Sequence, residues 1–399
     1  MAKEFVAEPD LQFVRDVIAA GGNDVKKCFQ CATCSVACPI SPDNSPYPRK
    51  EMIWAQWGLK KRLINDPDVW LCHQCNDCST QCPRGANPGD LMKAIRKMVI
   101  EENSWPSFLG NLVGQPSLIV LTLGIPVAVV LFLVYINGGF RSPEPLNYGH
   151  FIDYLYIQGV YTFALLFAVV SMILSLRQYW ANLEANCPVN VGAVRKPFVP
   201  SLIEALKEIL PHDKFKECEA NNIRYASHLM VFWGMIGLLV TTAIVAFNID
   251  ILHIAPPSRS GPGTVPIKIL GNVSAIAFVL GLGIMIVRRI TQPDQAGNSS
   301  YFDWLFLFMI FGTGATGLLT ELVRWGGSVS GAYYLYALHL MFILALFLYL
   351  PFSKFAHLGY RTLAMAWAKS AGRDVSLPVV PNYAPVPAQE GGSEETTQA

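Results

Sequence analysis

Eight of the ten cysteines in this 399-residue chain lie between Cys28 and Cys82, in two copies of one pattern. The first copy is Cys28-x2-Cys31-x2-Cys34-x3-Cys38-Pro39 and the second is Cys72-x2-Cys75-x2-Cys78-x3-Cys82-Pro83. Spacings of three bring three thiolates around one face of a cubane. The fourth cysteine, held before proline, points to the site of the other motif, as in runs that bind paired [4Fe–4S] clusters. Crossed ligation is therefore expected: Cys28, Cys31, Cys34 and Cys82 for one cluster, and Cys72, Cys75, Cys78 and Cys38 for the other. Zinc also favours four-cysteine sites, but zinc ribbons pair two C-x2-C knuckles, not two four-cysteine runs closed by proline. Shared ligation holds the two sites within electron-transfer reach, so this region reads as an electron wire with no substrate site of its own. Cys187 and Cys218 stand apart and are expected to be free thiols.

The histidines form the second chemical set. His73 sits inside the second cysteine motif and His212 in a polar stretch, while the other five lie in or beside long apolar runs. Ionisable groups inside a membrane are functional candidates. His228 opens the third run, His339 lies in the sixth and His357 just past it. The third and sixth runs are antiparallel, so His228 and His357 can face each other on one side and hold a b-type haem between two imidazoles. His339 is about 27 Å further along the last helix at about 1.5 Å per residue, which places a second haem near the opposite face. Its partner is open between His253 and His150. Glu321 and Arg324, three residues apart at the far end of the fifth run, read either as an ion pair or as a quinone and proton site. Gly312, Gly314 and Gly317 on the same run admit a flat macrocycle or a neighbouring helix.

Six elements must position these groups. Apolar runs cover 116–136, 152–176, 226–247, 268–288, 302–323 and 332–353, each long enough to span a bilayer. Charged residues make up 15% of the chain, against about 25% in an ordinary soluble domain, while apolar residues reach 52% and mean hydropathy is +0.35. The net charge of +1 gives no electrostatic basis for a nucleic-acid partner. The reading is mainly α: an α-helical, ferredoxin-like head with two [4Fe–4S] clusters over residues 1–110, a six-helix transmembrane bundle over 111–370, and a flexible tail over 371–399. Residues 1–20 carry charges with no apolar core, so the head is expected in the cytoplasm, a reducing compartment that favours metal ligands over disulfides. Thirteen basic residues after the head fall on its side of the membrane against four outside, which places both termini on the cytoplasmic face of the inner membrane. Ser201-x-x-Glu204 reads as a capping box opening an amphipathic helix with Leu202, Ile203, Leu206, Ile209 and Leu210 on one face; that helix lies on the membrane surface or under the head. A further helix over 89–102 links head to membrane, and Arg49, Lys50, Lys60, Lys61 and Arg62 form a basic stretch between the motifs.

On these residues the head, about 25–110, resembles the C subunit of heterodisulfide reductase. The rest, about 115–370, resembles the cytochrome b membrane subunits of that system and the gamma subunit of respiratory nitrate reductase. His339-x17-His357 is similar to the haem pair on the gamma subunit's last helix, and His228 to the cytoplasmic ligand of its partner helix. Where that family has a second histidine on the partner helix, this chain has Leu238. The fusion resembles the family of C-type membrane subunits of quinone-interacting membrane-bound oxidoreductase complexes of sulfate reducers. That resemblance implies oxidation of menaquinone in its quinol form, two cytoplasmic flavin and iron–sulfur partner subunits, and electrons delivered toward adenylylsulfate reductase. The alternative is a membrane subunit feeding a heterodisulfide or thiol-disulfide reductase. No Cys-Cys pair occurs, so the disulfide chemistry would belong to a partner. A transporter with a regulatory head would need paired broken helices and would leave the histidines unexplained.

Overall fold

The computed structural model describes residues 8–42, 45–186, 195–212, 222–253 and 264–373, and no strand occurs among them. Cys187, Cys218 and the tail from 374 onward lie outside the described residues. The head begins with α1 (Leu11–Ala19), whose N-terminus is capped by the Asp10 carboxylate accepting from the Phe13 N–H at 3.0 Å. Five short helices follow: α2 (Thr33–Val36), α3 (Arg49–Gln56), α4 (Lys60–Ile64), α5 (Asp68–Leu71) and α6 (Asp77–Thr80). α7 (Pro88–Asn103) extends the expected helix by one residue at each end. Pro88 supplies a fixed φ in its first turn, and Leu91, Met92, Ile95, Val99 and Ile100 are buried along one side.

After α8 (Ser107–Gly114) come α9 (Ile119–Ile136), α10 (Tyr148–Phe151) and α11 (Tyr154–Asn186). α12 (Phe198–Ile209), α13 (Asn222–Asp250), α14 (Thr264–Thr291), α15 (Pro293–Ala296), α16 (Tyr301–Trp325), α17 (Val329–Tyr349) and α18 (His357–Ser370) complete the order. Six of these segments are long and apolar enough to cross a membrane: Pro116–Ile136, Tyr154–Ala185, Asn222–Asp250, Val265–Thr291, Tyr301–Trp325 and Val329–Phe352. Each corresponds to one expected run. The second is much longer than its run because its last turns leave the apolar zone, and Tyr179 and Leu183 pack into the head core.

The head is not a bead on a tether. One buried cluster runs from Val17, Met52, Trp70 and Ile95 to Tyr349, Phe352, Tyr360 and Trp367. Polar bonds mark the head-side end of successive spans. Trp105 N–H donates to Ser175 Oγ at 2.9 Å, and Asn182 donates to Asn103 at 2.9 Å. Arg224 reaches the carbonyls of His73 and Gln74, and Asn298 donates to Asp90 at 2.8 Å. Arg361 donates to the Cys72 carbonyl at 3.1 Å. At the far end, Tyr333 links to Pro143 and Asn147, and Gln158 donates to Asp250 at 2.8 Å. The spans therefore alternate in direction, with α18 returning onto the head.

α12 differs from expectation. Pro197 is extended, and Pro200 sits in the first turn, where its missing N–H costs no helical bond, so the helix starts ahead of the supposed box. Ser201 is inside it, its hydroxyl donating to the Pro197 carbonyl at 3.0 Å, and Glu204 pairs with Lys196 at 3.3 Å. The apolar face divides. Leu202, Ala205 and Ile209 pack with Leu71, Met365 and Ala366 between head and α18, while Ile203, Leu206 and Leu210 are exposed.

Candidate functional site

The two cysteine motifs fold alike. In each, two non-glycine residues adopt the left-handed region, Gln30 and Ala32 in the first and Gln74 and Asn76 in the second. Each motif then enters a four-residue helix, α2 or α6, that carries its third cysteine. The turn aims backbone N–H groups at sulfur: Gln30 N–H lies 3.4 Å from Cys28 Sγ, and Gln74 N–H lies 3.3 Å from Cys72 Sγ. Ala86 N–H adds a third such bond, 3.3 Å from Cys82 Sγ. Donors of this kind stabilise thiolate over thiol.

Cys28, Cys31, Cys34 and Cys82 line one small cavity, with Arg49 and Arg84 at its edge. Cys38 instead lies in charge contact with Cys72 and Cys75, and Cys78 with Cys72, Cys75 and Cys38. Burial, reinforced by the neighbouring sulfurs, pushes the free thiol of Cys34 up to about 11 and that of Cys38 to about 12. Four thiols gathered this closely form a donor set that suits a polycationic iron core.

Between head and bundle lies a cavity of about 520 Å³, within the usual range of about 300–1,000 Å³ for cofactor sites. His228 and His357 both line it, with Phe232, Phe278, Phe306 and Leu307 as apolar wall and Arg288, Arg289 and Lys354 among its basic groups. The Nδ1 of His357 lies 2.6 Å from the Lys354 carbonyl, which selects the tautomer with that nitrogen protonated and Nε2 left to ligate. Burial pulls His357 down to about 4, so its imidazole is neutral at ordinary pH. His228 Nδ1 lies 3.0 Å from His212 Nε2, a ring contact across the junction. Two imidazoles on an apolar cavity with basic groups beside it suit a bis-histidine haem carrying anionic propionates.

Elsewhere, His339 is held by Thr316 Oγ1 at 3.1 Å from its Nδ1, and its ring packs on Gly317, where an added Cβ would lie 3.0 Å from Cε1. Gly312 faces Phe342, and Gly314 faces Phe278 and Val279, so side chains of neighbouring helices occupy these gaps. His253 and His150 are exposed at the far end. Glu321 accepts from Asn272 at 3.4 Å, and the Arg324 guanidinium sits 5.9 Å from the Tyr148 ring. Asp303 closes a capping box with Ser300 and pairs with Lys354, a structural role at the foot of α16.

Sequence reasoning passed over two features: His212 as the ring partner of His228, and the convergence of Arg96, Arg224 and Arg361 on residues 72–74. Nothing local marks them, since each contact joins distant stretches of chain.

Residues 24–86 match the 4Fe-4S dicluster domain family, and residues 113–375 match the family described as citrate utilization protein B. The head is similar to the C subunit of H(2):CoB-CoM heterodisulfide,ferredoxin reductase of Methanothermobacter marburgensis, 40% identical over 88 residues, 22% of this chain and 47% of that one. It is also similar to a protein of Archaeoglobus profundus that is itself described as like the C subunit of heterodisulfide reductase, 35% identical over 83 residues, 21% of this chain and 44% of the relative. The membrane part is similar to the E subunit of dihydromethanophenazine:CoB–CoM heterodisulfide reductase of Methanosarcina thermophila, 22% identical over 205 residues, 47% of this chain and 72% of that one. The chain spans about half the length of the relatives that its head matches. No solved structure matches. A dicluster head like the C subunit is thus fused to a multi-pass membrane part like the E subunit, a combination of redox-complex subunits. With the match over residues 113–375 taking in more than half of its length, the chain belongs to the citrate utilization protein B family.

Proposed function

We propose that the chain is a membrane electron-transfer subunit that takes electrons from menaquinol and delivers them to two cytoplasmic flavin and iron–sulfur subunits of the same complex. The onward acceptor is adenylylsulfate reductase in dissimilatory sulfate reduction. The observation that carries this reading is the continuity of the candidate sites: two four-cysteine sets share one packed core with a cavity lined by His228 and His357. Cys28, Cys31, Cys34 and Cys82 would hold one [4Fe–4S] cluster and Cys72, Cys75, Cys78 and Cys38 the other. His228 and His357 would hold an inner haem b, and His339 with His253 or His150 an outer one. When bound, these groups supply one-electron carriage.

The chain's own residues position and insulate them. The Lys354 carbonyl orients His357, His212 orients His228, and N–H groups at the motif turns support the sulfurs. Glu321 and Arg324 at the far end would hold quinol and release its protons on the outer side. The basic loops support an inner-membrane topology with both termini cytoplasmic. The exposed Cys31 and Phe29 give the first cysteine site a face toward soluble partners.

A reduced-minus-oxidised spectrum of purified protein, with iron, sulfide and haem counts, tests this. Eight non-haem irons and b-type absorbance whose reduced band menaquinol induces are the expected result. Fewer irons or no haem would remove the reading. The names of the relatives favour a second reading, a quinol-linked subunit feeding a heterodisulfide-type reductase; a partner subunit that reduces a disulfide rather than adenylylsulfate would select it.

A further inference from the structure

The two cysteine motifs share spacing and backbone, so a difference in surroundings reports a difference in role. Around residues 72–74 three guanidiniums converge from three elements. Arg96 of α7 donates to the Val69 carbonyl at 2.8 Å, to Gln74 Oε1 at 2.9 Å and to the Cys72 carbonyl. Arg224 of α13 donates to the carbonyls of His73 at 2.7 Å and Gln74 at 2.6 Å. Arg361 of α18 donates to the Cys72 carbonyl at 3.1 Å and meets the His73 ring at 2.7 Å. Arg224 lies in charge range of Cys75, and Arg361 in that of Cys72, with Tyr47 and Glu208 behind it. Glu208 is itself paired with Lys369 at 3.0 Å.

The matching stretch 28–30 is served by neutral donors: Gln56 donates to the Cys28 carbonyl at 3.0 Å, and Gln30 Nε2 lies 3.3 Å from Cys28 Sγ. Its cations, Arg49 and Arg84, are exposed, and Arg84 lies over the exposed Phe29 ring. Exposed charges are screened by water and salt, whereas part-buried ones act through a lower dielectric.

We propose that Arg96, Arg224 and Arg361 raise the reduction potential of the cluster held by Cys72, Cys75, Cys78 and Cys38 above that of its partner, so that the membrane-facing site fills first and the exposed site passes electrons on. The proposal rests on the cluster reading above. Reduction adds one electron, and hence one negative charge, to a cluster; no bond breaks and no proton moves. The electron comes from quinol and leaves to the soluble redox subunit. A fixed positive charge beside the thiolates stabilises the reduced form, and guanidinium keeps its charge across the accessible pH range.

Redox-poised electron paramagnetic resonance on the full chain in detergent tests this, with Cys75→Ser marking which signal belongs to the Cys72–Cys78 site. The wild type should show the marked cluster as the higher-potential one. In Arg361→Gln, and again in Arg224→Gln, its reduced-to-oxidised ratio at fixed potential should fall about tenfold, which is about 59 mV for one electron, while the other cluster stays put. Arg361→Lys keeps the charge and should retain most of the ratio, which separates charge from packing. Should Arg224→Gln fail to insert, the Arg361 pair decides alone. A marked cluster of lower potential, or ratios that do not move or move equally at both sites, overturns the proposal while eight non-haem irons keep the cluster reading. Fewer than eight irons overturns both.

Discussion

Cys38 and Cys82 carry the sharpest consequence of the fold at the residue scale, because each is close in sequence to one set of sulfurs and close in space to the other. Cys38→Ser should therefore disturb the same resonance signal as Cys75→Ser, and Cys82→Ser the signal disturbed by Cys34→Ser; the uncrossed result would reassign both clusters. The cysteine sets were readable because their spacing is local and each motif is complete within eleven consecutive residues. His212 was not: it meets His228 only because α12 folds back under the head. If His228 holds the proposed haem, His212 would orient that ligand, and its loss should cost about ten- to a hundredfold in haem retention. His212→Phe keeps the ring volume, so haem transfer to a scavenger protein should speed by that factor without loss of membrane insertion. An unchanged transfer rate would reduce His212 to packing.

α13 and α14 form the most extensive helix pair, and at this scale small residues decide the contact. A Cβ at Gly234 would lie 2.8 Å from the Phe278 N and the Ser274 carbonyl, and one at Gly281 would lie 2.7 Å from the Ser227 carbonyl. Backbones approach this closely only where the side chain is absent, the usual basis of helix association in lipid. Gly234→Ala should thus cost about 1–3 kcal/mol through overpacking, read as a lower thermal midpoint in detergent. At Gly283, on the same helix as Gly281, an added methyl would meet nothing within 4 Å; Gly283→Ala should hold or raise the midpoint, by up to about 1 kcal/mol from helix propensity alone. Equal losses in both would mean that the contact does not depend on close approach. The number and order of the spans were legible because hydropathy over about twenty residues suffices to place them. The start of α12 was not, because two prolines outweighed a plausible Ser-x-x-Glu box, and neither were the partners of Gly312 and Gly314, which depend on which helices meet.

A buried charge network joins the head to the segment just past α18. Arg373, just past α18, pairs with Asp68 of the head at 2.7 Å, and Lys50 pairs with both Asp66, at 2.8 Å, and Asp68. Glu51 completes the group, fully buried, 3.4 Å from Lys50 but accepting no hydrogen bond among the described residues. Among the described residues two cations face three carboxylates, a balance that favours retention of one proton. Burial and Asp66 push Asp68 up as well, but Lys50 and Arg373 both donate to it, so the proton settles on Glu51, which burial pushes up to about 8. Arg373→Ala should leave Asp68 to share Lys50 with Asp66 and weaken head docking by up to about 3–5 kcal/mol, as removal of one partner from a buried pair does, visible as faster proteolysis of the head. The pH dependence follows with a definite sign. A carboxyl whose folded value lies above its unfolded one contributes stability that is complete below about pH 4.5 and is lost as pH rises through about 8. The wild-type thermal midpoint should therefore fall between about pH 4.5 and 8 and level off above that, the loss amounting to a few kcal/mol once complete. Glu51→Gln keeps the shape and cannot ionise, so its midpoint should stay flat over that window and exceed the wild type at pH 9. A variant that falls in parallel with the wild type would place the proton elsewhere in the network and leave Glu51 as a paired anion.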